Sequence, residues 1–220
     1  MRLELYLVTD PDLTADRPLL PIVAAVLEGG ATAVQLRDKK AAPRDLLPLG
    51  AEMRRIAHQH HASFIVNDRV DLALALEADG VHVGQDDLPP LEVRRLMPRP
   101  RRMGVSAGTV QEALAAERAG ADYVGAGPVF ATPTKPDAGP PIGLEGLSAI
   151  AAAVSVPVVG IGGIHAENAA LVIEAGAAGV AVISALVSAA DPEKAAREIL
   201  SRVREVLDRR REGRQEGPPS

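Results

Sequence analysis

Short apolar runs recur along the whole chain and alternate with longer stretches of mixed polarity. The runs are Leu3–Val8, Ala33–Leu36, Ser63–Val66, Gly80–Val83, Met103–Ser106, Asp122–Ala126, Pro157–Ile161 and Gly179–Ile183. Continuous rather than alternating hydrophobicity suits strands buried on both faces, as in a parallel sheet. The intervening stretches carry helix signals. Thr109 followed by Glu112 has the spacing of a capping box. Asp191-Pro192 reads as an N-cap with Pro in the first helical position, opening an Arg/Glu-rich amphipathic helix to about Leu207. The stretch 208–220 is charged and rich in Gly and Pro, so a disordered tail is expected there.

A weak repeat organises these elements. Glu28-Gly-Gly-Ala-Thr-Ala-Val34, Glu77-Ala-Asp-Gly-Val81, Ala119-Gly-Ala-Asp-Tyr-Val124 and Glu174-Ala-Gly-Ala-Ala-Gly-Val180 share one design. In each, a helix ends at Gly and a small residue leads into a strand, with Gly relieving the left-handed cap. The repeat falls on every second strand. It predicts a single α/β domain over residues 1–207, a closed (βα)8 TIM barrel, compact beside the usual ~250 residues. An open doubly wound sheet is the alternative, but no Gly-x-Gly-x-x-Gly follows the first strand.

Composition narrows the function. Aromatics are 2% of the 220 residues, namely Tyr6, Phe64, Tyr123 and Phe130, with no Trp. Base-stacking platforms for single strands are therefore not expected. A net charge of −5 argues against nucleic acid and membrane surfaces as partners. The absence of Cys removes thiolate metal sites and Cys nucleophiles. No apolar run reaches the roughly 18 residues of a membrane span, and no signal-peptide profile opens the chain. A cytoplasmic protein is expected, with its oligomeric state open and a homodimer among the options.

The functional face of a TIM barrel is the C-terminal end of its strands. Here the strand exits carry Thr9-Asp10, Gln35 to Lys40, Asn67-Asp68, Gly84 to Asp87, Ser106, Gly127 to Lys135, Gly160 to Gly163 and Ser184. The opposite turns are mostly Gly, Ala and Pro. Lysine is scarce, and Lys39, Lys40 and Lys135 all fall in strand-exit loops, leaving only Lys194 elsewhere. Arg37 adds a planar fork suited to phosphate oxygens. Asp68 and Asp87 follow adjacent strands and could hold Mg²⁺, which takes one or two carboxylates plus phosphate oxygens and water. Capping the next helix is the competing role for Asp68, and a turn before Pro89 the competing role for Asp87. Gly160 to Gly163 and Ser184 precede helices, which sets two helix N-termini side by side for a phosphate. His58, His60 and His61 read as solvated, His82 as structural, and His165 as a helix-start residue. The sum is a Mg²⁺ and Lys/Arg subsite for a diphosphate beside a backbone subsite for a monophosphate.

These pieces, in this order, resemble the thiamine-phosphate synthase family. They are Tyr6-Leu-Val-Thr-Asp10, Val34-Gln-Leu-Arg-Asp-Lys39, Val66-Asn-Asp68, Gly80-Val-His-Val-Gly-Gln-Asp-Asp87, Gly104-Val-Ser106, Thr132-Pro-Thr-Lys135, Gly160-Ile-Gly-Gly-Ile164 and Val182-Ile-Ser184. The resemblance covers residues 3 to about 207. It implies an alkyl-group transferase that joins hydroxymethylpyrimidine diphosphate to (carboxy)hydroxyethylthiazole phosphate. Diphosphate leaves first, and the thiazole nitrogen captures a pyrimidine carbocation. It also implies two small phosphorylated substrates as the only partners. Gln35, Leu36, Arg37, Asp38, Lys39, Asn67, Ser106 and Lys135 would hold the pyrimidine diphosphate. Of these, Lys135, Ser106 and Arg37 would act in the chemical step. Thr132, Pro133, Thr134, Gly163, Ile183 and Ser184 would hold the thiazole phosphate. Asp68 and Asp87 would carry Mg²⁺. The family often has His just past its Gly-Val-Ser-Ala stretch, where this chain has Gly108. Two alternatives stand beside this reading, a thiazole tautomerase on the same barrel and a non-catalytic barrel that binds phosphorylated ligands.

Overall fold

The structure is a computed structural model, and it describes residues 1–134 and 139–215. Eight parallel strands close into a barrel in sequence order. They are β1 (Leu5–Val8), β2 (Ala33–Leu36), β3 (Ser63–Asn67), β4 (Gly80–Val83), β5 (Arg102–Ala107), β6 (Tyr123–Ala126), β7 (Val158–Ile161) and β8 (Gly179–Val182). The ring closes where Leu5, Tyr6 and Leu7 of β1 register with Val180, Ala181 and Val182 of β8. Most strand residues are buried, because helices cover one face and the barrel core the other. The expected strands are all present, with ends moved by one or two residues.

The helices form the outer layer. They are α1 (Leu19–Glu28), α2 (Pro43–Gln59), α3 (Val70–Ala75), α4 (Pro90–Leu96), α5 (Val110–Arg118), α6 (Gly143–Ala153), α7 (Ala169–Glu174), α8 (Ser184–Val187) and α9 (Pro192–Gln215). The Thr109 hydroxyl accepts from Glu112 N at 3.2 Å, as the capping pattern requires. The Glu112 carboxylate reaches back one residue further than expected, to Gly108 N at 2.6 Å. At the start of α9, Asp191 Oδ1 accepts from Lys194 N at 3.0 Å. In the repeat, Gly30, Gly120 and Gly176 take the left-handed cap with φ of 98°, 87° and 120°. The second copy departs from this: Glu77 itself is left-handed, with φ 48°, and Gly80 lies inside β4.

One boundary needs correction. The last helix does not stop near Leu207 but continues to Gln215. Its polar end is anchored on α7: Arg210 donates to Glu174 O at 3.2 Å and to Ala177 O at 3.3 Å. These are carbonyls at the C-terminal end of α7, which favours cations there. Residues 216–220 of the expected tail lie outside the described residues. Earlier in the chain, α9 packs on both α1 and α7, bridging the first and last units of the ring. No described helix is long and apolar enough to cross a membrane.

At the opposite end of the barrel from the strand exits, Asp122 ties three segments together. Its carboxylate accepts from Met103 N at 2.8 Å and from Arg94 Nη2 at 2.5 Å, and Arg99 Nε donates to it at 3.2 Å. Burial pushes this carboxyl up, but the Met103 amide and the guanidiniums outweigh burial and hold it below the ordinary range. A depressed carboxyl stabilises the fold above its unfolded value near ~3.9 and loses that contribution as pH falls through the folded value. Asp122→Asn is therefore expected to cost about 1–3 kcal/mol at neutral pH. Urea midpoints of the two proteins should converge below about pH 4. A gap that stays constant to pH 2 would refute the assignment.

Candidate active site

At the C-terminal ends of the strands the loops enclose a cavity of about 390 Å³. A broader depression of about 790 Å³ lies around Met1, His58 and Arg102, and includes none of the expected site residues. The cavity wall is assembled from most of the ring. Lys39 comes from the loop after β2, and Asn67 and Asp68 from the end of β3. Gly84 to Asp87 follow β4, Ser106 closes β5, and Thr132 and Thr134 follow β6. Gly163 follows β7, and Ile183 and Ser184 follow β8. Carboxylates thus face a wall of hydroxyls and backbone across one volume.

Asp68 is held in an uncommon conformation. Its φ is 59°, in the left-handed region, and its N–H donates to His82 O at 2.8 Å. The helix it was suspected of capping starts later, with Arg69 as the cap residue and no side-chain bond. Asp68 therefore stands one residue before the cap position. A non-Gly residue in this region stores strain that commonly marks a functional position. Asp87 does act as a turn residue, because its Oδ2 accepts from Gly84 N at 2.7 Å, and it also lines the cavity.

Several expected contacts lie elsewhere. Arg37 is absent from the cavity wall; its Nη1 donates to Asp10 Oδ2 at 2.8 Å in a buried pair. Asp38 folds back as a turn, its Oδ1 accepting from Lys40 N at 2.8 Å and Ala41 N at 2.9 Å. Leu36 is buried in the core, and Pro133 is exposed outside the wall. Lys40 is paired with Asp12 at 2.6 Å on the surface. Lys135 lies outside the described residues. The paired helix N-termini are also only half present. Helix α8 starts at Ser184, but α7 starts only at Ala169. Between β7 and α7, Gly162 and Gly163 form a loop with φ of 99° and 66°. Asn168 braces that loop, donating to Gly163 O at 2.9 Å and accepting from His165 N at 2.9 Å. Its packing against Pro128 and Phe130 leaves no room for a Cβ at either glycine.

Gln35 is inside the barrel rather than on the cavity wall. Its Nε2 donates to the Tyr6 hydroxyl at 2.7 Å, and the Tyr6 and Tyr123 hydroxyls meet at 3.0 Å. Tyr123 OH reaches His82 Nδ1 at 3.1 Å, and His82 Nε2 reaches Ser106 Oγ at 2.9 Å. Burial pushes both phenols well above their ordinary range, so both remain neutral. Room for these rings comes from Gly104 and Gly125, where a Cβ would collide with Tyr123 or His82. His82 and Glu112, both on the cavity wall, were missed as site residues by the sequence reading.

The family description thiamine monophosphate synthase matches residues 5–186. The chain belongs to this family. The thiamine-phosphate synthase of Moorella thermoacetica is 55% identical over 208 residues, 94% of this chain and 97% of the relative. That of Methanoregula boonei is 50% identical over 214 residues, 97% and 99% of the two chains. The solved thiamine phosphate pyrophosphorylase of Pyrococcus furiosus aligns with a TM-score of 0.87 at 45% identity, over 93% of this chain and 97% of that one. At Gly108 a Cβ would meet Glu112 Oε2 at 3.7 Å and Gly127 O at 3.8 Å, ordinary contact distances.

Proposed function

We propose that this chain condenses hydroxymethylpyrimidine diphosphate with (carboxy)hydroxyethylthiazole phosphate, giving thiamine phosphate and diphosphate, with loss of CO2 where the thiazole carries the carboxyl group. The observation that carries the reading is the shared cavity. Asn67, Asp68, Asp87 and Ser106 form one side, and Gly163, Ile183 and Ser184 another, so two phosphorylated substrates can meet in one volume. The first group, with Lys39, takes the diphosphate. The second, with Thr132 and Thr134, takes the thiazole phosphate through backbone and hydroxyl donors. Lys135 is assigned to the leaving group on sequence resemblance alone.

Asp68 and Asp87 fit Mg²⁺ by donor chemistry. Both carboxylates line the cavity, and no described cluster of three or more His, Cys, Asp or Glu could hold a metal. Such an incomplete oxygen set suits an ion that completes its shell with substrate oxygens and water. Bound there, Mg²⁺ would neutralise charge growing on the departing diphosphate. In the reaction the pyrimidine C–O bond breaks, and its electron pair leaves with diphosphate. The thiazole nitrogen lone pair then forms the new C–N bond. The protein's part is to orient the two substrates, to supply donors to the leaving oxygens and to keep water from the cation.

The test is a turnover assay on the purified chain with each substrate alone and with both, with and without Mg²⁺. Thiamine phosphate and diphosphate should appear in equal amounts only with both substrates and the metal. Isomerisation of thiazole phosphate alone, or binding of both substrates without turnover, would overturn the reading.

A further inference from the structure

We propose that the buried chain from Gln35 to Ser106 is a one-way hydrogen-bond wire, and that His82 and Tyr123 are positioning residues. Through it the Ser106 hydroxyl proton is aimed at an acceptor atom of the pyrimidine diphosphate. The proposal rests on the substrate reading above for the identity of that acceptor. It does not rest on it for the direction of the wire.

The direction follows from counting protons. A phenol has one proton to donate, whereas its oxygen can accept. Gln35 Nε2 donates to Tyr6 OH at 2.7 Å, so the Tyr6 proton must go elsewhere. Its partner among the described residues is the Tyr123 oxygen, 3.0 Å away. With Tyr6 donating, Tyr123 spends its own proton on His82 Nδ1 at 3.1 Å. Nδ1 is then the acceptor nitrogen, and Nε2 carries the ring proton. Nε2–H donates to Ser106 Oγ at 2.9 Å, which leaves the Ser106 proton for the cavity that Ser106 lines. The reverse direction would have Ser106 donate to His82, His82 to Tyr123 and Tyr123 to Tyr6. Tyr6 would then receive two hydrogen bonds, and its own proton would point into a site where the residue is 2% exposed. Buried donors without partners are rare because desolvation is not repaid. With the Gln35 amide oriented so that Nε2 meets the Tyr6 hydroxyl, only the forward direction uses every buried proton; with the amide turned over, Oε1 would accept from Tyr6, the chain would run in reverse and His82 would carry its proton on Nδ1.

The wire has the features of a preorganised device rather than incidental packing. It joins residues of β1, β2, β4, β5 and β6, so its geometry is set by the barrel rather than by a loop. Gly104 and Gly125 are the residues that let Tyr123 and His82 approach. Gln85 Nε2 also donates to Ser106 O at 2.6 Å, which fixes the serine backbone. A serine whose oxygen accepts from His82 Nε2–H cannot turn its proton back onto that nitrogen. It therefore presents a donor to the ligand without reorganisation, which is how electrostatic preorganisation lowers a barrier.

The test pairs a spectroscopic readout with a kinetic cycle. In the full chain with ¹⁵N-labelled histidine, His82 should show Nε2 protonated and Nδ1 unprotonated when neutral. In Tyr123→Phe, which removes the donor to Nδ1, that preference should weaken. Tyr123→Phe should lower kcat/KM for the pyrimidine diphosphate about tenfold, the size of one lost hydrogen bond. The thiazole phosphate KM should move less than twofold. In a Ser106→Ala background the same substitution should cost nothing further, because its effect travels through the serine. An Nδ1–H tautomer in the unsubstituted chain, or penalties that multiply in the double variant, would overturn the wire. The tautomer needs no turnover to be read, so it still decides the direction if the substrate assignment fails.

Discussion

Asp68→Asn and Asp87→Asn should each lower turnover on the order of 10²–10³-fold while leaving the fold intact, and should raise the Mg²⁺ concentration needed for half-maximal rate. The substitutions are chosen for their neutrality elsewhere. Asp68 occupies the left-handed region at φ 59°, which Asn tolerates about as well as Asp. Asp68→Ala would add backbone strain to the loss of charge. At Asp87, the amide oxygen of Asn can still accept from Gly84 N, a bond of 2.7 Å in the unsubstituted protein. What each variant loses is one negative charge on the cavity wall. Melting curves should overlay that of the parent to within a few degrees. Parent-like turnover in both variants at limiting Mg²⁺ would rule the carboxylates out as metal ligands.

The barrel was legible because strands buried on both faces must be apolar throughout. Runs such as Ala33–Leu36 and Gly80–Val83 therefore mark their own ends. The rim was legible because polar residues gathered at one end of each run, and Asn67, Asp68, Asp87 and Ser106 do share a cavity. What neither run shows by itself are the partners that depend on register. Arg37 reads as a phosphate fork until β1 is placed beside β2, which brings Asp10 to it. His82 reads as structural until β4 is registered with β5, where His82 stands opposite Gly104. A space left by glycine on one strand and filled from another has no signature in either run alone. The length of α9 was hidden differently. Its last turns have few apolar positions, but Arg210 there reaches the carbonyls of Glu174 at the end of α7 and of Ala177 just beyond it, a tertiary contact that local polarity does not report.

The largest stability loss is expected from Asp10→Ala, because Asp10 is the ion-pair partner of Arg37. The two side chains are 11% and 9% exposed, and the guanidinium sits 2.8 Å from Asp10 Oδ2. Among the described residues its Nε is buried with no hydrogen-bond partner, so Asp10 is the pairing that offsets desolvation of the charge. The ends of β1 and β2 are clamped at the same point. Arg37 N donates to Thr9 Oγ1 at 2.9 Å, and Thr9 Oγ1 donates to Arg37 O at 3.2 Å. That clamp fixes the backbone from which the Arg37 guanidinium reaches Asp10. Removing one partner of a buried pair typically costs about 3–5 kcal/mol, because the other charge stays behind. For a chain of this size that is a fall in Tm of roughly 6–20 °C. Asp10→Asn should lose less, since the amide oxygens and nitrogens still fill the volume and Oδ1 can still accept from Asp12 N, now at 3.1 Å. Combining Asp10→Asn with Arg37→Met, which removes both charges and keeps an unbranched side chain, should recover much of the loss seen in Asp10→Ala. Thermal melts of the three variants decide it. A Tm for Asp10→Ala within 2 °C of the parent, roughly 1 kcal/mol at most, would show that Arg37 does not depend on Asp10.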